Sequence, residues 1–124
     1  MMVSDYIPID LREIKDKNRV SVSSDLLKIL GKPDRIVFSR YVVNGDTKIV
    51  VNNADDVVMG ESIGMTVNVD QKQRITITQK VQNEMGFKND GKKKFIGFFH
   101  TQNKKGGRVV ELCKVVPKKE IDSE

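Results

Sequence analysis

The stretch Arg74-Ile-Thr-Ile-Thr-Gln-Lys-Val-Gln-Asn-Glu-Met-Gly86 organises this chain, because a degraded copy of it lies 55 positions earlier. The copy is Arg19-Val-Ser-Val-Ser-Ser-Asp-Leu-Leu-Lys-Ile-Leu-Gly31. When residues 17–31 are aligned without gaps against residues 72–86, three pairs are identical and seven more are conservative. Similarity at a fixed internal spacing is typical of a repeated supersecondary unit. The sequence therefore predicts an internal duplication.

Each copy predicts a short strand followed by a short helix. In the second copy, Ile75 and Ile77 alternate with polar residues, which is the period of a half-buried strand of β-branched residues. Thr78 can then cap a helix that Gly86 ends in the left-handed conformation. The polar residues of this helix are expected to face water, and they are Gln79, Gln82 and Asn83.

The first copy carries the same local features. Ser23 or Ser24 can cap its helix, and Gly31 can end it with Pro33 just beyond. A strand is predicted over residues 35–43, followed by an Asn44-Gly45 hairpin turn and a return strand over residues 47–51. Each copy is therefore predicted to be a strand, a helix of one or two turns, a glycine and a longer hairpin.

This order of elements resembles the swapped-hairpin DNA-binding domains of the AbrB, MazE and MraZ type. The resemblance rests on a basic residue before a short β-branched strand, a cap, and a short helix ending in Leu-Gly or Met-Gly. Asn18 and Gln73 stand where the family usually has a glycine before the arginine, and Ser23 and Thr78 stand where it usually has a proline. Related cradle-loop barrels, including double-psi barrels, stay open as alternatives.

We therefore expect a mainly β fold with short helices, of the α+β class, that is similar to a swapped-hairpin or cradle-loop barrel. Two tandem strand-helix-hairpin units of about 50 residues could not each bury a core, so we expect them to share one. The predicted organisation is an N-terminal arm at 1–16, a first unit at 17–52, a connecting segment at 53–71, a second unit at 72–117 and a tail at 118–124.

Three further segments carry predictions. Pro8 lies in an alternating apolar stretch, which favours an edge strand or an arm. The connecting segment is expected to contribute a strand over residues 65–69. The second hairpin is predicted from strands over residues 95–100 and 108–116, and Gly97 inside the first of these suggests a bulge or a close backbone approach.

The charge of the chain is unevenly distributed. Residues 1–70 contain 9 Lys and Arg against 11 Asp and Glu, whereas residues 71–124 contain 13 against 6. The formal net charge of +5 therefore comes from the second half. Such asymmetry favours a polyanionic partner, because neutralised phosphates release condensed counterions.

Composition bounds the remaining possibilities. The chain is 38% hydrophobic and 31% charged, and it has no window of about 18 apolar residues that could span a membrane. Its N-terminus lacks the features of a secretory signal peptide, and the single Cys113 cannot form an internal disulfide. These features predict a cytoplasmic protein without a membrane partner.

Enzymatic motifs are nearly absent from the sequence. His100 is the one histidine and has no cysteine or carboxylate at metal-ligand spacing, Cys113 is most simply a small buried apolar residue, and Asp55-Asp56 suits a turn. There is no phosphate-binding loop, dinucleotide fingerprint or nucleophile elbow. We expect a binding protein that is not an enzyme, with no cofactor, no metal and no small-molecule substrate.

The resemblance implies that double-stranded DNA is the partner and that cations on loops and strand starts contact it. Arg74 matches the arginine at the family's strand start, and Arg19 is its partner in the first copy, although an ion pair with Asp16 is an equal alternative for Arg19. The other predicted DNA-binding residues are basic residues of the strand starts and loops, namely Lys17, Lys72, Lys80, Lys88, Lys92, Lys93, Lys94, Lys104, Lys105 and Arg108.

The predicted function is sequence-specific or nucleoid-type DNA binding by a nucleoid-associated homodimer, in the role of a transcriptional regulator. One alternative is an antitoxin-type operator binder, although the family's antitoxins are expected to carry a longer acidic C-terminal segment. The others are an RNA-binding or protein-binding cradle-loop barrel and an enzyme on a double-psi scaffold.

Overall fold

The computed structural model describes residues 7–56, 60–88, 90–102 and 108–115. In those ranges it contains nine strands and two short helices, which confirms a mainly β fold of the α+β class. The strands are β1 (Ile7–Glu13), β2 (Arg19–Ser21), β3 (Arg35–Val43), β4 (Asp46–Asn53), β5 (Glu61–Ser62), β6 (Val67–Asn68), β7 (Arg74–Thr76), β8 (Phe95–Gln102) and β9 (Arg108–Val115). The helices are α1 (Ser24–Ile29) and α2 (Gln79–Glu84), and a single 3-10 turn, Asp16–Asn18, precedes β2.

The strands form two antiparallel sheets in which the two halves of the chain interleave. The larger sheet has the order β1-β8-β9-β4-β3-β5, and β6 also pairs with β3. The smaller sheet is a two-stranded ribbon of β2 and β7, called the ribbon below. Strands of the first half thus pair with strands of the second half in both sheets.

One hydrophobic core lies between the ribbon and the larger sheet. Val20 and Ile75 point into it from the ribbon, and Phe38 and Phe98 reach it from β3 and β8. All four side chains are almost fully buried. Both halves of the chain therefore supply one core.

Backbone hydrogen bonds recur at corresponding positions of the two copies. The Val22 amide donates to the Gln73 carbonyl (2.8 Å), and the Ile77 amide donates to the Asn18 carbonyl (2.7 Å). The two donors, Val22 and Ile77, lie 55 positions apart in the sequence, and so do the two acceptors, Asn18 and Gln73. At the centre of the ribbon Val20 pairs with Ile75. The ribbon therefore has a local approximate two-fold axis that passes through this central pair.

The larger sheet repeats the correspondence. Glu13 pairs with Phe95, and Asn68, which corresponds to Glu13 in the second copy, pairs with Arg35. These pairs place β1 beside β8 and β6 beside β3 in the same register. The loop before β8 is longer than the loop before β3. Corresponding residues of the two hairpins are therefore further apart in the sequence than corresponding residues of the ribbon strands.

Both helices begin and end as the sequence indicates. The Ser23 hydroxyl accepts from the Leu26 amide (3.1 Å), so Ser23 rather than Ser24 caps α1, and Thr78 caps α2 in the same way. Gly31 and Gly86 follow the helices with φ of 85° and 87°, a conformation that side-chain-bearing residues rarely adopt.

The expectation that Gln82 faces water is wrong. This side chain is fully buried, its Nε2 donates to the Ile77 carbonyl (2.8 Å), and its Oε1 accepts from the Lys94 Nζ (3.0 Å). A buried amide needs such partners, because an unsatisfied buried polar group costs about 1–3 kcal/mol. Gln82 thus joins α2 to the loop before β8.

The bulge suggested at Gly97 lies elsewhere. Pairing through Gly97 is regular on both sides, and the register shift falls in β1 between Pro8 and Asp10. A Cβ atom at Gly97 would lie 2.6 Å from the Phe99 ring and 3.0 Å from the Leu11 side chain. The glycine therefore leaves space for the Phe99 and Leu11 side chains. The sequence alone suggests a close approach of the backbone instead.

The remaining predicted strands agree with the structure. The turn at Asn44-Gly45 has left-handed φ angles of 51° and 84° and joins β3 to β4, and the strand expected at residues 65–69 shortens to β6. β1 lies at one end of the larger sheet, as Pro8 indicates.

The apolar run at residues 57–59 and the tail at 118–124 lie outside the described residues. Neither helix in the described part of the chain is long or apolar enough to cross a membrane.

Candidate nucleic-acid interface

The outer face of the ribbon carries two arginines. Side chains alternate along a strand, so the buried Val20 and Ile75 place Arg19, Ser21, Arg74 and Thr76 on the opposite face. Arg19 pairs with Thr76 and Ser21 pairs with Arg74, so the arginines are diagonal neighbours across the ribbon axis. Diagonal neighbours on an antiparallel pair lie about 7–8 Å apart, within the reach of two arginine side chains directed at one ligand.

Arg74 is held by one carboxylate. The Asp70 side chain accepts from the Arg74 amide and from the Arg74 Nε, both at 2.8 Å, and from the Lys72 amide at 2.9 Å. The hydrogen bond from the Arg74 amide, together with the Arg74 and Lys72 contacts, holds the pKa of Asp70 below its ordinary 3.8, and this outweighs an opposing effect of desolvation. Asp70 is therefore ionised at neutral pH and orients the guanidinium.

Arg19 has no such carboxylate. Lys15 stands at the position that corresponds to Asp70, and its ammonium lies 3.1 Å from Glu13. The Arg19 Nε is buried and makes no hydrogen bond, and no ion pair with Asp16 is found among the described residues. The alternative of an Arg19–Asp16 ion pair is therefore wrong, and Arg19 has an unpaired donor.

Both arginines line one open cleft of about 540 Å³. The cleft is bounded by the end of β1, the turn that follows it and the outer face of the ribbon. Its lining residues are Glu13, Ile14, Lys15, Asp16, Arg19, Ser21 and Arg74. Polar and charged groups dominate this surface, which suits a charged, hydrated ligand rather than an apolar one.

The turns before the two ribbon strands add exposed cations. Lys17 precedes β2 and Lys72 precedes β7, and both side chains are exposed. Asn18 and Gln73 follow them with left-handed φ angles of 60° and 58°. With Lys15, Arg19 and Arg74, these turns and the ribbon carry five cations against the carboxylates of Glu13, Asp16 and Asp70, a formal excess of two positive charges.

The loop before β8 approaches the same end of the ribbon. The Lys94 carbonyl accepts from the Ile14 amide (2.8 Å), which places this loop beside the turn that precedes β2. The Lys94 ammonium is directed at Gln82, whereas the side chains of Lys92 and Lys93 are exposed in the same loop. Lys92 and Lys93 are therefore the members of this loop whose charges face solvent.

The other predicted site residues are not brought to the ribbon by any contact that the structure shows. Lys80 is exposed on the first turn of α2, and Lys88 is exposed beyond that helix. Arg108 begins β9, but its side chain lies outside the described part of the structure. Lys104 and Lys105 also fall outside it.

Sequence reasoning missed Lys15 and Asp70 as the residues that make the two arginines different. The signal was available, because these residues occupy corresponding positions of the repeat and have opposite charges. It becomes interpretable only when Asp70 is seen to bond the arginine four positions later. Ser21 and Thr76 were also missed, because their place beside the arginines depends on the pairing of β2 with β7.

The residues weighed for catalysis do not form a site. Within the described ranges no group of three or more His, Cys, Asp or Glu side chains could hold a metal ion. Cys113 is half-buried, and burial raises the pKa of its thiol above 9.0, so the thiol is protonated at neutral pH. Asp55 lies in a turn, 3.7 Å from Arg35. The His100 Nε2 is buried and has no hydrogen-bond partner.

Comparisons with known proteins give no match: no family model fits the chain, and no curated protein or solved structure is similar to it.

Proposed function

We propose that this protein binds double-stranded DNA through the outer face of the ribbon, as a cytoplasmic transcriptional regulator or nucleoid-type protein. The observation that carries the proposal is the pair of arginines, Arg19 and Arg74, at corresponding positions on the exposed face of a two-stranded antiparallel ribbon. Such a ribbon fits the major groove of B-DNA, which is about 12 Å wide, and β-ribbons are an established way of reading it.

The side chains on this face match the groups that DNA offers. Arginine can fork onto the O6 and N7 atoms of guanine, and the hydroxyls of Ser21 and Thr76 can donate to or accept from base edges. Lys17 and Lys72, exposed at the two ends of the ribbon, can act as point charges on the flanking phosphates. The two kinds of contact together supply position and sequence preference.

We also infer that the fold is of the swapped-hairpin type and is built from two tandem units. The backbone hydrogen bonds that recur at corresponding positions of the repeat support this, as do the matched pairings of β1 with β8 and of β6 with β3. The swapped pairing joins the halves of a single chain. A homodimer is the arrangement that the resemblance implies.

The proposal is tested by a salt titration of binding to a random duplex, measured by fluorescence anisotropy and compared with single-stranded RNA. Wild-type protein should prefer the duplex, with log K falling linearly against log salt. The double variant Arg19→Ala/Arg74→Ala should bind weakly and show a shallower slope.

The matched control removes two positive charges away from the cleft. Lys28 and Arg35 are exposed, and neither lines the cleft, so Lys28→Ala/Arg35→Ala should stay close to wild type. Equal losses of duplex affinity in both double variants would show that binding depends only on the overall charge of the protein. Preference for single-stranded RNA over the duplex would instead favour the RNA-binding alternative.

A further inference from the structure

The two ends of the ribbon are related by an approximate two-fold axis but carry different chemistry. The axis exchanges Arg19 with Arg74 and Ser21 with Thr76, because the Val20–Ile75 pair lies on it. It also exchanges Lys15 with Asp70, and here the charge is reversed. A ligand that contacts both ends therefore meets one arginine at each end, and the two arginines have neighbours of opposite charge.

We propose that one chain recognises a duplex through two unequal half-sites related by the ribbon's approximate two-fold axis, in which Arg74 reads a guanine and Arg19 holds a phosphate. This inference rests on the DNA binding proposed above. The strands of a duplex are themselves related by local two-fold axes, so a two-fold ribbon in the major groove presents each strand with the same backbone. The difference between the half-sites then comes from Asp70 and Lys15.

Arg74 is suited to base reading because its orientation is fixed before binding. Its Nε donates to Asp70, which leaves the four N–H groups of the two terminal nitrogens for an end-on fork. A guanidinium held in this way loses less side-chain freedom on binding, and the fork matches the O6 and N7 acceptors of guanine. Asp70 acts as a positioning residue.

Arg19 is suited to phosphate because no described carboxylate forms an ion pair with it. Its Nε is buried without a partner, and Lys15, the counterpart of Asp70, also lines the cleft, where its ammonium lies 3.1 Å from Glu13. An anion in the cleft would satisfy the Nε and meet both cations. A phosphate contact fixes the position of the protein and carries no base preference of its own.

Selection of bound sites from a randomised duplex library tests the inference. For each ribbon, wild-type protein should select one specified half-site that contains a guanine, next to a half-site without base preference. Arg74→Ala should lose roughly 5- to 150-fold in preference for that guanine, with little change on random duplex. Arg19→Ala should weaken binding to every duplex alike and reduce the slope of log K against log salt by about 0.9.

Two further variants probe the asymmetry itself. Asp70→Asn keeps Arg74 but removes the charged acceptor for its Nε, so preference for the guanine should fall while random-duplex affinity is retained. Lys15→Asp places a carboxylate where Asp70 stands in the other half, and the backbone bonds around the two positions already match: the amides of Lys15 and Asp70 donate to the Arg19 and Arg74 carbonyls, both at 3.0 Å. This variant should gain preference in the second half-site, provided that its thermal unfolding matches wild type.

The outcomes separate the inference from the proposed function. Loss of sequence preference of the same size from Arg19→Ala and Arg74→Ala, with DNA binding intact, would overturn the unequal half-sites alone. Two equally specified half-sites within the span of one ribbon would do the same. Failure of wild-type protein to bind any duplex would overturn the proposed function, and the inference with it.

Discussion

Gln73 and Asn18 adopt the left-handed backbone conformation at the positions where the resembling family has a glycine before its arginine. For an L-residue this conformation costs roughly 1–2 kcal/mol, whereas glycine adopts it freely. At these two positions the chain therefore has a different side chain from the family but a backbone conformation that suits glycine. The residue directly before the arginine is left-handed in both halves, and in the first half Lys17 also has a left-handed φ of 62°.

Gln73→Gly is accordingly expected to stabilise the protein, by up to about 1 kcal/mol once the greater freedom of glycine in the unfolded chain is subtracted. The free energy of unfolding in urea measures this. The control is Gln71→Gly in the same exposed turn, where φ is not left-handed and the substitution should destabilise slightly. Destabilisation by both substitutions would contradict the assigned conformation.

Asp70 gives the stability of the protein a predictable dependence on pH. Its pKa is lowered in the folded state, so the stabilisation by its ionised form is complete above the unfolded value of 3.8 and is lost as pH falls through the lower folded value. The stability difference between wild type and Asp70→Asn should be constant from neutral pH to near 3.8 and should shrink below it. Denaturant midpoints across that range measure the difference. A difference that grows in acid would mean that folding raises the pKa of Asp70, which would contradict the prediction.

At the scale of elements, strands and helix ends were predictable because their signals are local. Alternating β-branched residues set the ribbon strands, Asn44-Gly45 set the first hairpin, and glycines ended both helices. The burial of Gln82 was not predictable, because it depends on a lysine in the loop before β8 and on a carbonyl at the end of the ribbon. The arginines of the site followed from the repeat, whereas their sharing of one cleft depends on which strands pair.

The helix caps provide a test at this scale. Ser23→Ala and Thr78→Ala should each cost about 1 kcal/mol of stability, because each removes the hydroxyl that accepts from an amide in the first turn of its helix, Leu26 or Val81. Ser24→Ala is the matched control, since Ser24 is the exposed first residue of α1 and should change stability by less than about 0.5 kcal/mol. A larger loss at Ser24 than at Ser23 would move the start of the helix by one residue.

At the scale of the whole molecule, the two halves are interleaved and cannot be separated without breaking the core. β4 pairs with β9 at the middle of the larger sheet, with Val50 opposite Glu111, and the ribbon joins the halves again on the other side of the core. The charge asymmetry of the sequence does not divide the candidate interface in the same way. The ribbon takes one strand from the acidic half and one from the basic half.

Homodimerisation is a prediction at this scale. Sedimentation velocity at high protein concentration should show a species with twice the mass of one chain. The physical basis is the resemblance to proteins whose hairpins interleave between chains. A species with the mass of a single chain at every concentration would exclude the dimer, and the pairing within one chain would then be the complete assembly.

The central claim, that the ribbon's outer face contacts the duplex, is tested most directly by amide chemical-shift mapping of the labelled protein titrated with a short DNA duplex. The largest changes should fall on residues 15–22 and 70–77, which form the two turns and the ribbon strands, with smaller changes at Lys92 and Lys93. Changes concentrated instead on β4 and β9, at the centre of the larger sheet, would contradict the account.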